Sequence, residues 1–349
     1  MNLWRGQVGV IGLDLGRRWI KACQLSRRGA GYCVHAASVF PRLEPGRPLS
    51  VAELDRVAMV LERQGFVGRN LALAAPDGWL SASQLDVPKG ASGPARQRVI
   101  CAEMVREHGL VPNTFECGFW ELPRNAHGAK STKIIALALP AENARPLLTH
   151  FGQVGLHVDA IEPGDVALHR ACRDQLGSDE RITAIVDFGE GAVRLVLMYQ
   201  GCVVHQRSLP VWSMAVLRQA LIADTGASES LAEAALRRYG LSGKGGVIAT
   251  QVAGILIGML PDLIDELSLS FSFVSHQYPQ AELGPLLLVG GGAVMPDLDT
   301  RLATDMELDV RRANSERVAS IPESLRKLVQ QEPSLIAAMG LAMRQEGGA

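Results

Sequence analysis

Apolar and polar positions form the same signature in two stretches of the chain. Residues 184–191 are an apolar run that ends in Asp187-Phe188-Gly189, and residues 193–198 form a second run in which apolar and polar positions alternate. Strand-forming residues on both sides of a glycine turn predict a β-hairpin with an Asp-x-Gly bend. Residues 10–16 repeat the pattern and end in Asp14-Leu15-Gly16. Two such hairpins predict two halves that are built alike and face each other across a cleft.

The remaining pattern predicts an α/β protein. Further strands are predicted at 20–25, 32–39, 71–75, 80–85, 114–122, 133–139, 155–161, 202–209, 286–289 and 308–310. Helices are predicted at 51–64, 96–108, 142–152, 166–175, 213–223, 228–239, 248–274, 297–306 and 334–343, with a loop before the last one. The two halves are placed at 1–180 and 181–349, with a small α/β unit inserted at about 41–150 and a helical subdomain at about 213–283.

A triple glycine follows the predicted strand at 286–289. Gly290-Gly291-Gly292 lies between this strand and a helix, where glycine lets the backbone pass close to a planar ligand or to phosphates. A tight strand-to-helix turn without a ligand is the alternative, and the sequence leaves both open. A carboxylate at a strand end can hold Mg²⁺ or a water, which makes Asp14 and Asp187 candidate metal ligands.

Length and composition set limits. At 349 residues the chain is too long for one compact core, so two domains are expected. A net charge of −1 gives no electrostatic reason to expect nucleic acid or an anionic membrane as a partner. Six scattered cysteines without a C-x-x-C pair favour reduced thiols in a cytoplasmic protein. No signal peptide fits the N-terminus. The apolar stretch 247–260 is short of the ~20 residues of a bilayer span and predicts a buried helix.

Two further features have two interpretations each. The basic residues of the first hairpin indicate either an anion site or a solvated, charged sheet edge; they are Arg17, Arg18, Lys21, Arg27 and Arg28. Trp212 either fills part of the cleft or packs in the core.

Five motifs in order resemble the actin-like ATPase superfamily, which has a ribonuclease H-like two-domain fold. They are Gly12-x-Asp14-x-Gly16, Ile161-Glu162-Pro163, Asp187-x-Gly189, the triple glycine with Ala293, and 338–342. Within that superfamily the chain resembles the PilM family of type IV pilus assembly, which is related to MshI and to the cytoplasmic part of the secretion protein GspL. The unit at 41–150 stands where PilM and FtsA carry their extra subdomain, and the resemblance implies that a last helix at 334–346 packs back on the first half.

The resemblance implies a ligand, a metal and a partner. ATP and Mg²⁺ would lie in the cleft, with Asp14 and Asp187 holding the metal. The nucleotide-binding candidates are Asp14, Gly16, Arg17, Asp187, Gly189, Glu233, Gly290, Gly291 and Gly292. The partner would be the N-terminal cytoplasmic peptide of a PilN-like bitopic inner-membrane protein, held in a groove between the first-half core and the insert. The protein would then be cytoplasmic and attached to the inner membrane through that partner and other platform components.

The sequence departs from the family pattern at four places. Arg17 and Arg18 replace the usual Ser or Thr after Gly16, and the expected Thr after Gly189 is missing around Ala192, while Glu190 adds a negative charge. Further on, Val211-Trp212 replaces a Gly-Gly and Leu236 replaces a Lys. Each lost charge-assisted hydrogen bond costs about 1.5–3 kcal/mol, so we expect a degenerate cleft with weak or no ATPase activity. Arg17 or Arg18 pairing with phosphate would compensate in part.

An ATP-dependent sugar or acetate kinase of the same superfold is the alternative function. Such a kinase needs a first-half carboxylate to accept the proton of the substrate hydroxyl. The first-half candidates, none of which lies in a recognisable substrate signature, are Asp55, Asp77, Asp86, Asp159 and Asp165.

Overall fold

Two five-stranded sheets form the centre of the protein. The computed structural model describes residues 7–88, 93–124 and 131–344. The first sheet has the order β3-β2-β1-β4-β8, from β1 (Val8–Leu15), β2 (Trp19–Arg28), β3 (Gly31–Pro41), β4 (Asn70–Ala74) and β8 (His157–Glu162). The second has the order β11-β10-β9-β12-β13, from β9 (Ile182–Phe188), β10 (Val193–Tyr199), β11 (Cys202–Leu209), β12 (Leu283–Val289) and β13 (Val310–Arg312).

The two sheets have the same topology. In each, the first three strands in sequence form an antiparallel meander, and two further strands join parallel to the first one. Each first strand is nearly fully buried because it has neighbours on both sides and helices on both faces. The predicted pair of similar halves is therefore confirmed.

A third sheet forms the insert. Its order is β5-β7-β6, from β5 (Ser81–Pro88), β6 (Phe115–Glu121) and β7 (Ser131–Pro140), all antiparallel. This sheet spans 81–140 and lies inside the predicted insert of about 41–150, whereas β4, which is also inside that range, pairs with β1 in the first sheet. The insert also contacts the second half: the Trp120 indole donates a 2.8 Å hydrogen bond to the Val203 carbonyl.

Eleven helices are present among the described residues. They are α1 (Val51–Arg63), α2 (Gly93–His108), α3 (Ala141–Gln153), α4 (Gly164–Leu176), α5 (Met214–Thr225), α6 (Glu229–Tyr239), α7 (Val247–Gln277), α8 (Leu298–Met306), α9 (Ser315–Val318), α10 (Glu323–Gln331) and α11 (Leu335–Ala342). Helices α9 and α10 lie at 311–333, where the sequence predicts a loop; in α10, Leu325, Leu328 and Val329 pack against the core at helical spacing. The end of the predicted last helix, 345–346, lies outside the described residues.

Helix α7 is longer than the apolar stretch that predicted it, and only one of its faces is buried. An 18-residue window of this helix has a mean hydropathy of 1.8 and is 33% buried, so by length and composition alone it is able to cross a bilayer. Leu256, Leu260 and Leu263 pack in the core of the second half, whereas Val247 and Ile248 are exposed. Residues 247–260 are helical as predicted, but only one face of this helix is buried.

Helix α11 connects the two halves. It follows the second half in the chain, yet it packs on β1, β2 and α4 of the first half. Two glycines make this contact possible. A methyl at Gly12 would lie 2.6 Å from the Ala342 amide nitrogen, and one at Gly340 would lie 2.6 Å from the Ala167 carbonyl carbon. The motifs around these two glycines therefore serve helix packing.

Candidate functional site

A cavity of about 580 Å³ lies where the two hairpins face each other. Both halves line it. From the predicted set, its walls include Asp14, Gly16, Arg17, Asp187, Gly189, Glu233, Gly290 and Gly291. This volume is within the range of small-molecule sites. The structure thus brings eight of the nine predicted residues to one cavity.

The two aspartates form equivalent ion pairs. Asp14 on β1 is the cross-strand partner of Lys21 on β2, and the Lys21 Nζ lies 2.9 Å from Asp14 Oδ2. Asp187 on β9 is the cross-strand partner of Arg194 on β10, and Arg194 Nη2 lies 3.3 Å from Asp187 Oδ2. In both hairpins the cation follows the aspartate by seven residues. Each carboxylate therefore already has a cation of the chain beside it.

The surroundings of Asp187 disfavour the charged form of its side chain. Burial raises the pKa of Asp187, Arg194 and Lys21 lower it, and Asp14 and Asp77 raise it again, so that the net shift is upward. Gly290 approaches this carboxylate closely: its φ is 85°, and an added methyl would collide with Asp187 Oδ1. Gly290 is thus required by both backbone conformation and contact.

The amides nearest the second hairpin are largely engaged within the protein. The Gly189 N–H donates to the carbonyls of Asp187 and Ala192, at 3.0 and 3.1 Å. At the start of α5, the Met214 and Ala215 N–H groups donate to the carbonyls of Gly189 and Glu190, at 3.0 and 3.1 Å. These groups are donors that a helix terminus would otherwise offer to phosphate. The second hairpin therefore offers few backbone donors to an anion.

Glu190 and Glu233 are held by a buried arginine that the sequence reading missed. The Arg218 side chain on α5 is 4% exposed and lies 3.1 Å from Glu233 and in contact with Glu190. It also lies 3.2 Å from Glu229, which pairs with Arg18 of the first half. Because Arg218 neutralises it, Glu190 is not the free negative charge that the sequence indicated.

Arg237 lines the cavity one helical turn after Glu233. Its Nε lies 3.5 Å from Glu233, and its Nη1 lies 3.2 Å from Glu332, just before α11. Leu236, at the position where the family has Lys, is fully buried in the core. The basic side chain in this part of the cavity is therefore that of Arg237, the residue after Leu236.

Arg17 extends across the cleft to the second hairpin. A methyl on Gly191 would lie 2.7 Å from Arg17 Nη1, so the guanidinium lies directly over that turn. Among the described residues Arg17 has no carboxylate within ion-pair distance. Arg18 and Lys21 also line the cavity, whereas Arg27 and Arg28 are exposed at the far end of the hairpin. Three of the five basic residues therefore lie at the cavity and two lie at the exposed edge of the hairpin, and an anion site at the first three stays a prediction.

Two predicted features lie outside the cavity. Gly292 is buried against the core: a methyl there would lie 2.6 Å from Met214 Sδ and 2.7 Å from Phe188 Cβ. Trp212 is fully buried and packs edge-on against Phe188, with ring centroids 5.9 Å apart. The second interpretation of Trp212, as a core residue, is the one that the structure confirms.

The carboxylates do not fit the magnesium site that the resemblance implied. Mg²⁺ is usually bound through one or two free carboxylates that keep several waters. Here Asp14 and Asp187 are each paired with a cation of the chain, so neither carboxylate is free for a metal ion. The seven-residue spacing to Lys21 and Arg194 indicates these pairs once the strand register is known.

One region of the cavity, called the apolar end below, is lined by α3, the β4–β5 loop and the start of α1 with the residues just before it. These segments supply the apolar side chains Pro48, Leu49, Val51, Trp79, Pro146 and Leu147, together with the polar side chains Arg47, Asp77, Asn143 and His150. The β4–β5 loop and α3 are the segments that join the first half to the insert. The apolar end therefore lies at the junction of these two parts.

Comparison with known proteins gives a consistent result. The profile of the type IV pilus assembly protein PilM matches residues 12–346. A chain of a PilM–PilN type IV pilus biogenesis complex has a TM-score of 0.77 at 19% identity, covering 96% of this chain and 98% of that one. The ethanolamine utilization protein EutJ from Carboxydothermus hydrogenoformans has a TM-score of 0.54 at 15% identity, covering 97% and 90%. ADP-bound MreB5 of Spiroplasma citri has a TM-score of 0.52 at 12% identity, covering 92% and 97%.

These likenesses confirm the actin-like two-domain fold. The profile match extends over nearly the whole chain and includes both hairpins and α11. The chain belongs to the PilM family of type IV pilus assembly proteins.

Proposed function

We propose that this protein is a cytoplasmic scaffold of a type IV pilus assembly platform that binds the N-terminal cytoplasmic segment of a PilN-like bitopic membrane protein. It would be attached to the inner membrane through that partner. The observation that carries the proposal is the family match over residues 12–346, together with a fold shared over 96% of the chain with a protein of a PilM–PilN complex.

The cleft favours a scaffold over an ATPase. Hydrolysis requires a positioned water and stabilisation of charge on the phosphates, usually by a metal ion. Asp14 and Asp187 are paired with cations, and Glu190 is held by Arg218. We therefore expect negligible hydrolysis.

The apolar end of the cavity supports a peptide site. Val51, at the first position of α1, is 62% exposed, and Trp79 and Pro146 line the cavity beside it. Exposed apolar surface next to a groove is typical of a binding site for an extended peptide. The partner segment would place apolar side chains between α1, α3 and the β4–β5 loop.

A matched pair of valines tests this site. The assay is the fluorescence anisotropy of a labelled peptide with the N-terminal sequence of a PilN-like protein encoded nearby. Val51→Asp should weaken binding about tenfold or more, because it places a charge at an apolar contact. Val247→Asp is the control, since Val247 is 84% exposed at the first position of α7 in the second half. An equal effect of both changes, or no binding by the wild type, would refute the proposal.

One observation favours the kinase alternative. Asp77 lines the cavity from the first half, where a catalytic carboxylate would be needed, but it lies 3.7 Å from Arg194 Nη1. Of the other candidates, Asp55, Asp86 and Asp159 do not line the cavity; they are hydrogen-bonded to His150, Ser131 and Asn70, of which His150 does line it. A coupled assay over a panel of sugars and acetate tests this function, and turnover of any acceptor that is lost in Asp77→Asn would establish it.

A further inference from the structure

Arg194 lies among carboxylates from both halves of the protein. Its guanidinium lies 3.3 Å from Asp187 of the second half and 3.7 Å from Asp77 of the first half. It also packs against the start of α4, where a methyl on Gly164 would lie 3.3 Å from Nη1. The same helix start carries Asp165, whose Oδ1 is buried and has no hydrogen-bonding partner among the described residues.

The charge of Arg194 is permanent in this setting. Burial by itself lowers the pKa of Arg194, but Asp187, Asp165, Asp77 and Asp14 raise it, and the net shift is upward. Burial raises the pKa of Asp165, and Arg194 offsets only part of that rise. Lys21 supplies a second positive charge at Asp14. The two side chains together carry the charge of one divalent ion, and they are attached to the two hairpins that would bind it.

We propose that Arg194 and Lys21 take the place of the divalent cation, so that the cavity binds the polyphosphate of a nucleotide as a metal-free anion. The phosphates would contact Lys21 and Arg17, which lines the cavity and is not paired with any described carboxylate. A magnesium ion would have to displace a guanidinium that already contacts two aspartates. Mg²⁺ is therefore excluded from the site. In solution it forms a complex with the nucleotide and so lowers the concentration of the free anion that binds.

This proposal concerns the charged end of the cavity and does not depend on peptide binding at the apolar end. The measurement is the fluorescence anisotropy of labelled ATP with the full chain, in excess EDTA and in millimolar Mg²⁺. Unlabelled ATP and pyrophosphate compete in separate arms, which separates recognition of the nucleoside from recognition of phosphate alone. A titration of Mn²⁺ into wild-type protein without nucleotide, followed by electron paramagnetic resonance, measures metal binding directly.

We expect wild-type protein to bind ATP in EDTA at least as tightly as in Mg²⁺ and to bind no Mn²⁺. Arg194→Ala should weaken ATP binding in EDTA about tenfold, because the carboxylates that Arg194 neutralises would then repel the phosphates, and it should gain Mn²⁺ binding because those carboxylates lose their cation. Arg194→Lys should retain the wild-type behaviour. Arg207→Ala is the matched control, since Arg207 lies on the adjacent strand β11 and pairs with Glu266 outside the cavity.

Three results would overturn the proposal. They are ATP affinity that Mg²⁺ raises about tenfold or more, stoichiometric Mn²⁺ binding by the wild type, and no ATP binding in EDTA. The wild-type arms do not depend on how well any variant folds. The peptide assay on the same preparation shows whether a failure here is separate from a failure of the scaffold function.

Discussion

The contact of α11 with the first half predicts a large effect of a very small change. Gly340→Ala adds one methyl group where α11 crosses α4, and that methyl would lie 2.6 Å from the Ala167 carbonyl carbon and 3.2 Å from its Cα. Carbon atoms pack best at about 3.5–4.0 Å, so the helices would have to separate by about 1 Å. The obstacle is the backbone of Ala167 in α4, so no change of side-chain rotamer can relieve the contact.

The magnitude follows from two opposing terms. Overpacking a core costs about 1–3 kcal/mol, and a rigid backbone obstacle places this site at the upper end. Alanine has a helix propensity about 1 kcal/mol better than that of glycine, which offsets part of the cost. We expect a net loss of about 2 kcal/mol of unfolding free energy for Gly340→Ala. The corresponding loss in Tm is roughly 3 °C, because an unfolding entropy of about 2.1 cal/mol/K per residue applies to all 349 residues.

The assay is equilibrium unfolding in urea, with thermal unfolding as a second measurement. Gly291→Ala is the control for the substitution itself, because a methyl there has no atom within 4 Å. Gly12→Ala should resemble Gly340→Ala, since its methyl would lie 2.9 Å from Leu341 Cβ on the other side of α11. If Gly340→Ala is as stable as Gly291→Ala, then α11 is not seated against α4 as described.

Three further predictions concern buried groups. Arg42→Met should cost about 3–5 kcal/mol in urea unfolding, because it leaves Glu53, which is 1% exposed, without the two hydrogen bonds of its partner; a loss below about 1 kcal/mol would contradict this. Burial raises the pKa of Glu53, but hydrogen bonds from Arg42 and Leu43 lower it, and the net shift is downward. The charged Glu53 therefore stabilises the folded protein above the pKa that it has in the unfolded chain, and this stabilisation is lost as the pH falls through the pKa that it has in the folded protein. The difference in unfolding free energy between wild type and Glu53→Gln should therefore shrink in acid, and a difference independent of pH would count against the pair. Trp212→Ala should cost about 3–5 kcal/mol while leaving ATP affinity unchanged, whereas a gain in affinity would mean that Trp212 fills the cleft after all.

Much of the fold was predictable because the sequence pattern within each hairpin is sufficient to predict that hairpin. The Asp-x-Gly bends, the strand-forming runs around them and the helical periodicity of 213–274 all lie within single elements. The extent of the insert was not predictable in the same way. Whether β4 pairs with β1 or with the insert depends on a long-range contact, and its sequence of small apolar residues fits both.

The candidate site shows the same division. Asp14, Asp187 and Gly290 were found because their positions within a motif are informative. Arg218 and Arg194 were missed because an arginine on a helix or strand has the same local pattern whether it is solvated or buried among acids. The spacing of seven residues from aspartate to cation, repeated in both hairpins, becomes informative only when the strand register is known. Gly292 was predicted to bind nucleotide because it follows Gly290 and Gly291 in the sequence, whereas in the structure it contacts Phe188 and Met214 of the core.

The seating of α11 has a consequence for how the protein folds on the ribosome. The first half emerges early, but the surface of β1 and α4 around Gly12 and Ala167 is covered by residues 335–342. Domains generally fold as units in the order of their synthesis, and exposed apolar surface in a waiting intermediate is prone to aggregation. Here the first half stays incomplete until the whole second half has been synthesised. The two halves are therefore one folding unit despite their matching sheets, and an isolated fragment of residues 1–180 should expose Val10, Ala167 and the rest of that surface to the chaperones that handle unfinished chains.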